Sequence, residues 1–213
     1  MDVIEAIMAR HSVRDFISKP VPKETLMKIL EVALRAPSGG NSQPWEVFVA
    51  TGDTLERIRK AYQELELKGI PTGPGLLQLP AEIQKRSGDT ISGIFKAAEL
   101  DPSDPRSFRV VGSSRLYGAP VAVVVCMDKA LSDHLGIGLF VQTLCLAAKG
   151  YGVDSLISGA MMLHAEILRR ELDIPESISP IIGIAIGYPN PDNKVNEFRS
   201  HRRPITEVVR YRD

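Results

Sequence analysis

The chain has few of the features that mark exported, disulfide-stapled, metal-bound or polyanion-binding proteins. Its 213 residues include two cysteines, Cys126 and Cys145. They lie far apart and outside any CxxC, so they indicate neither a disulfide framework nor a cysteine zinc site and fit a reducing compartment. Net charge is also missing, because 26 Lys and Arg meet 26 Asp and Glu. Without a long-range field to gather nucleic acid or anionic lipid, neither is an expected partner. No uncharged apolar stretch reaches the ~20 residues of a membrane-spanning helix; residues 135–148 and 177–191 read as buried core. The opening Met1-Asp2-Val3-Ile4-Glu5 lacks the basic-then-apolar order of a signal peptide, so the expected location is cytoplasmic. There is no internal repeat and no low-complexity tract.

Common catalytic motifs are missing too. Gly136-Ile137-Gly138 has no third glycine and no acid at the ribose-binding distance, which leaves helix packing rather than a dinucleotide fingerprint. GxxxxGK[ST], HExxH and GxSxG do not occur, and Ser158-Gly159-Ala160 lacks the flanking glycine of a nucleophile elbow. His11, His134, His164 and His201 show no ligand spacing, so no metal is expected.

What is present is a well-stocked core. With 44% hydrophobic residues, disorder over most of the chain is excluded, and the length suits one large domain or two small ones. Ile4, Ile7 and Met8 share a helical face that should end near Arg10-His11-Ser12. Pro22 suits a first helical position before Leu26, Ile29, Leu30, Ala33 and Leu34. Trp45 to Ala50 reads as a strand, and a turn at Gly52-Asp53 should lead into a helix to Leu67. Residues 69–118 shift toward Pro, Gly, Gln, Arg and Ser and read as an excursion with helical pieces. The β-branched run Val121 to Cys126 predicts a central strand covered on both faces. Ser132 or Asp133 should cap a helix that is apolar almost all round from Leu135 to Ala148 and therefore reads as core. Strands at Val153 to Ser158 and Ile181 to Ile186, with a helix between them, complete an α+β or α/β sandwich. The tail from Tyr188 ends in an apolar patch, Ile205 to Val209, that needs a partner surface.

Three segments carry unusual chemistry for their positions. Arg10-His11-Ser12-Val13-Arg14-Asp15-Phe16 sets forked donors at a helix end, matched to phosphate or to carbonyl and ring-nitrogen acceptors. An ordinary solvated basic turn would have the same composition. Pro37-Ser38-Gly39-Gly40-Asn41-Ser42-Gln43-Pro44-Trp45 combines glycines that let backbone approach a ligand with amides that read polar ring edges. A plain turn before a strand is its ordinary explanation. Arg199-Ser200-His201-Arg202-Arg203-Pro204 concentrates guanidinium groups in the tail, where a solvated tail is the ordinary reading.

In order and spacing these segments resemble the nitroreductase family of flavin mononucleotide (FMN) enzymes. Gln142 to Ala148 with Gly150 and Gly152-Val153-Asp154-Ser155 resembles the family's central helix and following strand. Gly183 to Pro189 with Arg199 to Val209 resembles its closing strand and tail, so the resemblance spans nearly the whole chain. It implies one α+β domain over 1–213 with a central mixed sheet flanked by helices. It also implies an interlocked homodimer with FMN at the interface, residues 188–213 embracing the partner and residues 69–118 forming a lid. Carried over, Arg10, Ser12 and Arg202 would hold phosphate and ribitol, with Arg199 a second tail candidate, and Arg14 would approach the pyrimidine side. His11, Pro37, Ser38, Gly39, Asn41 and Gln142 would line ring or chain, and the Ile157-Ser158-Gly159 turn would bring a backbone N–H toward flavin N5. The sequence after that turn, Ala160-Met161-Met162, departs from the family's usual one.

The implied activity is two-step. NAD(P)H reduces non-covalent FMN, and a small electron-poor acceptor such as a nitroaromatic or quinone then enters the same face. Flavin N5 carries the chemistry and no protein nucleophile is needed, while Arg14 gives electrostatic support. Phe95, Phe108 and Tyr117 would wall the acceptor site. Reductive dehalogenation, flavin fragmentation, or FMN storage or sensing without turnover are the alternatives.

Overall fold

Why residues 121–126 are β-branched without interruption is clear in the structure, a computed structural model that describes residues 1–69, 80–101 and 113–213. In chain order its elements are α1 (Val3–Ala9), β1 (Phe16–Ile17), α2 (Lys23–Ala33), β2 (Glu46–Thr51), α3 (Gly52–Leu67), α4 (Ala81–Ala97), β3 (Val121–Asp128), α5 (His134–Gly150), β4 (Asp154–Ser158), α6 (Ala165–Glu171), β5 (Ile178–Pro189) and α7 (Ile205–Val208). The sheet runs β1-β5-β3-β2, with β4 also paired to β5. Every residue of β3 from Val121 to Met127 is buried, because successive side chains point to opposite faces and each face is covered. Val121, Val123 and Val125 meet Ile29 of α2 and Phe140 and Leu144 of α5. Ala122, Val124 and Cys126 meet Leu55, Ile58 and Tyr62 of α3 and Leu168 of α6. The strand ladders are all antiparallel, so the sheet is antiparallel rather than the mixed one expected; the parallel pairing of Ser12 with Ser155 is an isolated bridge outside the strands.

Local chemistry sets the element ends. Asp2 and Glu5 form a reciprocal capping box on α1, which satisfies two otherwise unpaired N–H groups. Pro22 stands one residue outside α2 as its N-cap. The turn expected at Gly52-Asp53 is made at Gly52 alone, at φ +52°, where β2 passes directly into α3, so the helix starts at the turn itself. Only glycine takes that backbone without strain. Helix α5 differs from the all-round core helix expected. One face buries Ile137, Phe140, Leu144 and Ala148, whereas Leu135 is 75% and Leu139 36% exposed and Gln142 is exposed between turns. These three share one stripe at helical spacing.

Helical structure in the 69–118 excursion is confirmed by α4, in which Phe95 is buried rather than walling an open site. Phe108 lies outside the described residues. Among the described residues, no helix is long and apolar enough to cross a membrane.

Candidate functional site

The basic segment after α1 is held in place by backbone bonds. Arg10 ends the helix in extended conformation, Ser12 bridges Ser155 of β4, and the Val13 N–H donates to the Ser155 carbonyl at 3.2 Å. From the other side, the buried Asn196 amide clamps it. Its Oδ1 accepts from the Arg14 and Asp15 N–H groups at 2.8 and 3.2 Å. Its Nδ2 donates to the Asp15 and Asn190 carbonyls at 2.7 and 3.0 Å. All of the amide's polar atoms are thus used, which fixes the segment between β4 and the tail.

The side chains on that frame form a cationic basin. Arg14 is part-buried, donates from Nη1 to the Ser12 carbonyl at 3.0 Å, and lies over the Phe198 ring at 5.5 Å. It does not pair with Asp15 or Glu5: the Asp15 carboxylate accepts from Asn190 at 2.7 Å, and Glu5 serves the capping box. Burial lowers the Arg14 pKa, yet a guanidinium stays charged at neutral pH. His11 donates from Nδ1 to the Ala9 carbonyl at 2.9 Å. Burial is the main reason its imidazole is held below the usual value; the Ala9 carbonyl opposes this, and the charges of Arg199 and Lys149 add to it against that of Asp154. Lys149 and Asp154 are themselves paired at 2.7 Å. Among the described residues, no carboxylate pairs with Arg10, Arg14 or Arg199. A basin of that kind suits an anion.

A second cluster lies elsewhere. The Asp133 carboxylate caps α5 by accepting from the Gly136 N–H at 2.8 Å, and it also accepts from the Gly39 N–H at 3.1 Å and Ser42 Oγ at 2.8 Å. Those bonds, the Gly136 bond foremost, hold its pKa below the ordinary value. Ser38 Oγ accepts from the Gln43 N–H at 2.9 Å, so Pro37, Ser38, Gly39 and Asn41 sit on a loop tied to the start of α5. A Cβ on Gly136 would come within 2.7 Å of Asp133 Oδ2 and 3.0 Å of Pro44 Cγ, so glycine is required there.

Arg10 and His11, by contrast, lie toward the other end of α5: the Arg10 charge acts on Cys145 and the Lys149 charge on His11. Those two residues stand 12 and 16 positions beyond Asp133, roughly 18 and 24 Å along the helix at a rise of 1.5 Å. The structure therefore groups Arg10, His11, Ser12, Arg14 and Arg199, and separates them from residues 37–41. Between the two, Gln142 and Ile157 line an open apolar groove with Ile137, Val141, Ile181 and Ile182, of about 370 Å³. Ser158 and Gly159 close β4 beside it. Arg202 donates to Ser200 Oγ at 2.6 Å and faces a cleft between the tail and α4 that it shares with Arg86, Asp89, Phe198, Arg199 and Arg203.

Neither cysteine offers a nucleophile, since burial pushes Cys126 up to about 12 and also raises Cys145. The sequence reading missed Asn196, whose partners lie up to 182 positions away. Asp133 was legible as a helix cap, but its hold on the 37–45 loop was not.

Comparison with known proteins gives a consistent result. The model of the nitroreductase family matches residues 7–188. The chain is 30% identical to the chloronitrobenzene nitroreductase of Comamonas testosteroni, over 97% of this chain and 95% of the relative. It is 31% identical to nitroreductase NfnB of Mycolicibacterium smegmatis, over 96% and 90%. The crystal structure of the FMN-dependent nitroreductase NfnB from Mycobacterium smegmatis in complex with NADPH superposes with a TM-score of 0.90 at 27% identity, covering 99% of this chain and 97% of that one.

Proposed function

The chain belongs to the nitroreductase family, and on that premise we propose that it is an FMN-dependent oxidoreductase passing electrons from NAD(P)H to a small electron-poor acceptor, nitroaromatic or quinone, by a ping-pong mechanism. The observation that carries this reading is the basin of Arg10, His11, Arg14 and Arg199, in which, among the described residues, no carboxylate is ion-paired with an arginine. Its fit to FMN is twofold. Cations and Ser12 match a phosphate and ribitol, while the groove of Ile137, Val141, Ile157 and Ile182 matches a flat apolar ring edged by Gln142. When bound, FMN supplies the hydride chemistry, and the raised thiols of Cys126 and Cys145 agree that no protein nucleophile is needed.

The chain's own residues bind and orient. Arg10, Ser12, Arg199 and Arg202 hold the phosphate and ribitol end, and His11 lines it. Arg14 stands at the pyrimidine side, and the turn at 157–159 offers a backbone N–H toward N5. Residues 37–41 are too far along α5 to serve the same site, so Pro37, Ser38, Gly39 and Asn41 reach it from the second subunit of a homodimer. The open stripe of Leu135 and Leu139 supports that arrangement, as do Ile205 at 73%, Val208 at 58% and Val209 at 53% exposure. In this reading residues 1–213 form one domain, 188–213 embrace the partner, 69–118 form the lid, and the enzyme works in the cytoplasm.

Purified protein is expected to be yellow, with about one non-covalent FMN per subunit bleached by NAD(P)H under anaerobic conditions. A colourless protein that FMN does not reconstitute would overturn the proposal. Because a charge-assisted bond contributes about 1.5–3 kcal/mol, Arg202→Ala is expected to weaken FMN binding by roughly one to two orders of magnitude with the fold intact. Fluorescence titration checks this, and unchanged affinity would move the phosphate role to Arg199 or Arg203.

A further inference from the structure

Just before β3 the backbone does something costly. Leu116, Tyr117 and Gly118 are consecutive residues in the left-handed region, at φ 47°, 57° and 73°. Only the glycine accepts this without penalty, and a Cβ there would stand 3.0 Å from the Phe16 carbonyl oxygen. Leu116 is fully buried against the α3 side of the core, which holds the segment in this form. Such strain persists only where surrounding structure over-determines it, and it is a reason to look for function.

The strained turn places one side chain in polar contact with β4. The Tyr117 hydroxyl lies 3.2 Å from Ser158 Oγ. Along β4 the side chains alternate, so Ile157, 39% exposed, opens onto the groove, whereas Ser158, 4% exposed, turns away from it toward Tyr117. The pair therefore grips the end of β4 from behind, one residue before Gly159. Arg14 is the other neighbour: its charge acts on the Tyr117 phenol, pulling down a pKa that burial pushes up. Tyr117 thus stands between Arg14 and the turn at 157–159, two groups that are 144 positions apart in the chain when Arg14 is counted to Ser158.

Resting on the function proposed above, we propose that Tyr117 is a positioning residue for the reaction: through Ser158 it holds the Gly159 amide in register with Arg14. It touches neither substrate nor cofactor. Its role differs from walling the acceptor site, because its hydroxyl is committed to Ser158.

The test uses Tyr117→Phe, Ser158→Ala and the double variant in the FMN-loaded protein, together with hydrogen exchange in the FMN-free chain. Either single change is expected to shift the FMN reduction equilibrium about threefold to tenfold, the range one neutral hydrogen bond spans. Tenfold corresponds to about 30 mV for a two-electron couple. FMN affinity should stay within about threefold because the phosphate end is untouched, and the double variant should be no worse than either single. Without FMN, amide exchange across Gly159–Met162 should quicken several-fold in each variant while α3 and β3 are unchanged. An unshifted potential, additive single effects, or faster exchange spread over the whole chain would overturn the proposal. Should Tyr117→Phe fail to fold, Ser158→Ala reads the same bond by itself. A wild-type chain that binds no FMN would sink the proposed function, yet the exchange measurement would still decide whether Tyr117 anchors the turn.

Discussion

Replacing Arg14 with methionine is expected to slow NAD(P)H reduction of FMN-saturated protein at least tenfold. The guanidinium is part-buried, fixed by its 3.0 Å bond to the Ser12 carbonyl and by the Phe198 ring beneath it, and its backbone is locked by Asn196. In the proposed site it would need no reorganisation to stabilise negative charge on the pyrimidine side of a bound flavin. At a site of intermediate dielectric, one unit charge a few ångströms away is worth on the order of 1–4 kcal/mol, which is tenfold or more in rate. FMN occupancy should fall much less, because in the proposed site Arg10, Ser12 and the tail arginines would still hold the phosphate end. Stopped-flow reduction with a parallel measurement of the flavin potential decides the matter. A wild-type rate with an unshifted potential would assign Arg14 to packing against Phe198.

Removing the tail should have the largest effect of all. A chain ending at Pro189 loses the Asn196 clamp, Phe198, Arg199 and the apolar end, and is expected to sediment as a monomer without flavin. A chain ending at Arg203 separates the contributions. It keeps the clamp on Arg14 and Asp15 together with Arg199 and Arg202, and loses Ile205, Val208 and Val209. Burying each of those side chains against a partner stabilises by about 1.5–3 kcal/mol at most, and the symmetry of a dimer counts each twice. Their loss is therefore worth several orders of magnitude in the dimer dissociation constant. Flavin should be lost with the dimer, since in the proposed site residues 37–41 of the second subunit would then no longer line the ring or chain. Sedimentation with flavin absorbance checks both truncations, and a monomer of the Pro189 form that retains FMN would contradict the shared site.

Much of this was legible in the residue order. Periodicity and capping are local, so α1, α2, α5, the central β3 and the Asp133 cap could be read directly. So could the family, because Arg10 to Phe16 and Pro37 to Trp45 resemble its segments and lie within the residues 7–188 that its model matches. The Gly52 junction could be read too, although α3 starts at the turn rather than after it because one positive-φ glycine makes the whole change of direction. The open stripe on α5 was misread because Leu135 and Leu139 are as apolar as the residues behind them, and only packing tells a core face from an unpartnered one.

Tertiary structure alone decided how the candidate site is assembled. Nothing near Arg14 in sequence announces that Asn196 holds its backbone or that Phe198 lies under its charge, because those residues come from an irregular tail with no period to read. The separation of Arg10 from the 37–41 loop was likewise invisible until α5 stood between them, a rigid rod of 1.5 Å per residue with the loop tied to its start and Arg10 beside Cys145 in its later turns. The alternation of β4 that turns Ile157 to the groove and Ser158 to Tyr117 depends on which face of the sheet is covered. Propensities along the chain set which elements form, but which loop residues meet is set by the packing of those elements.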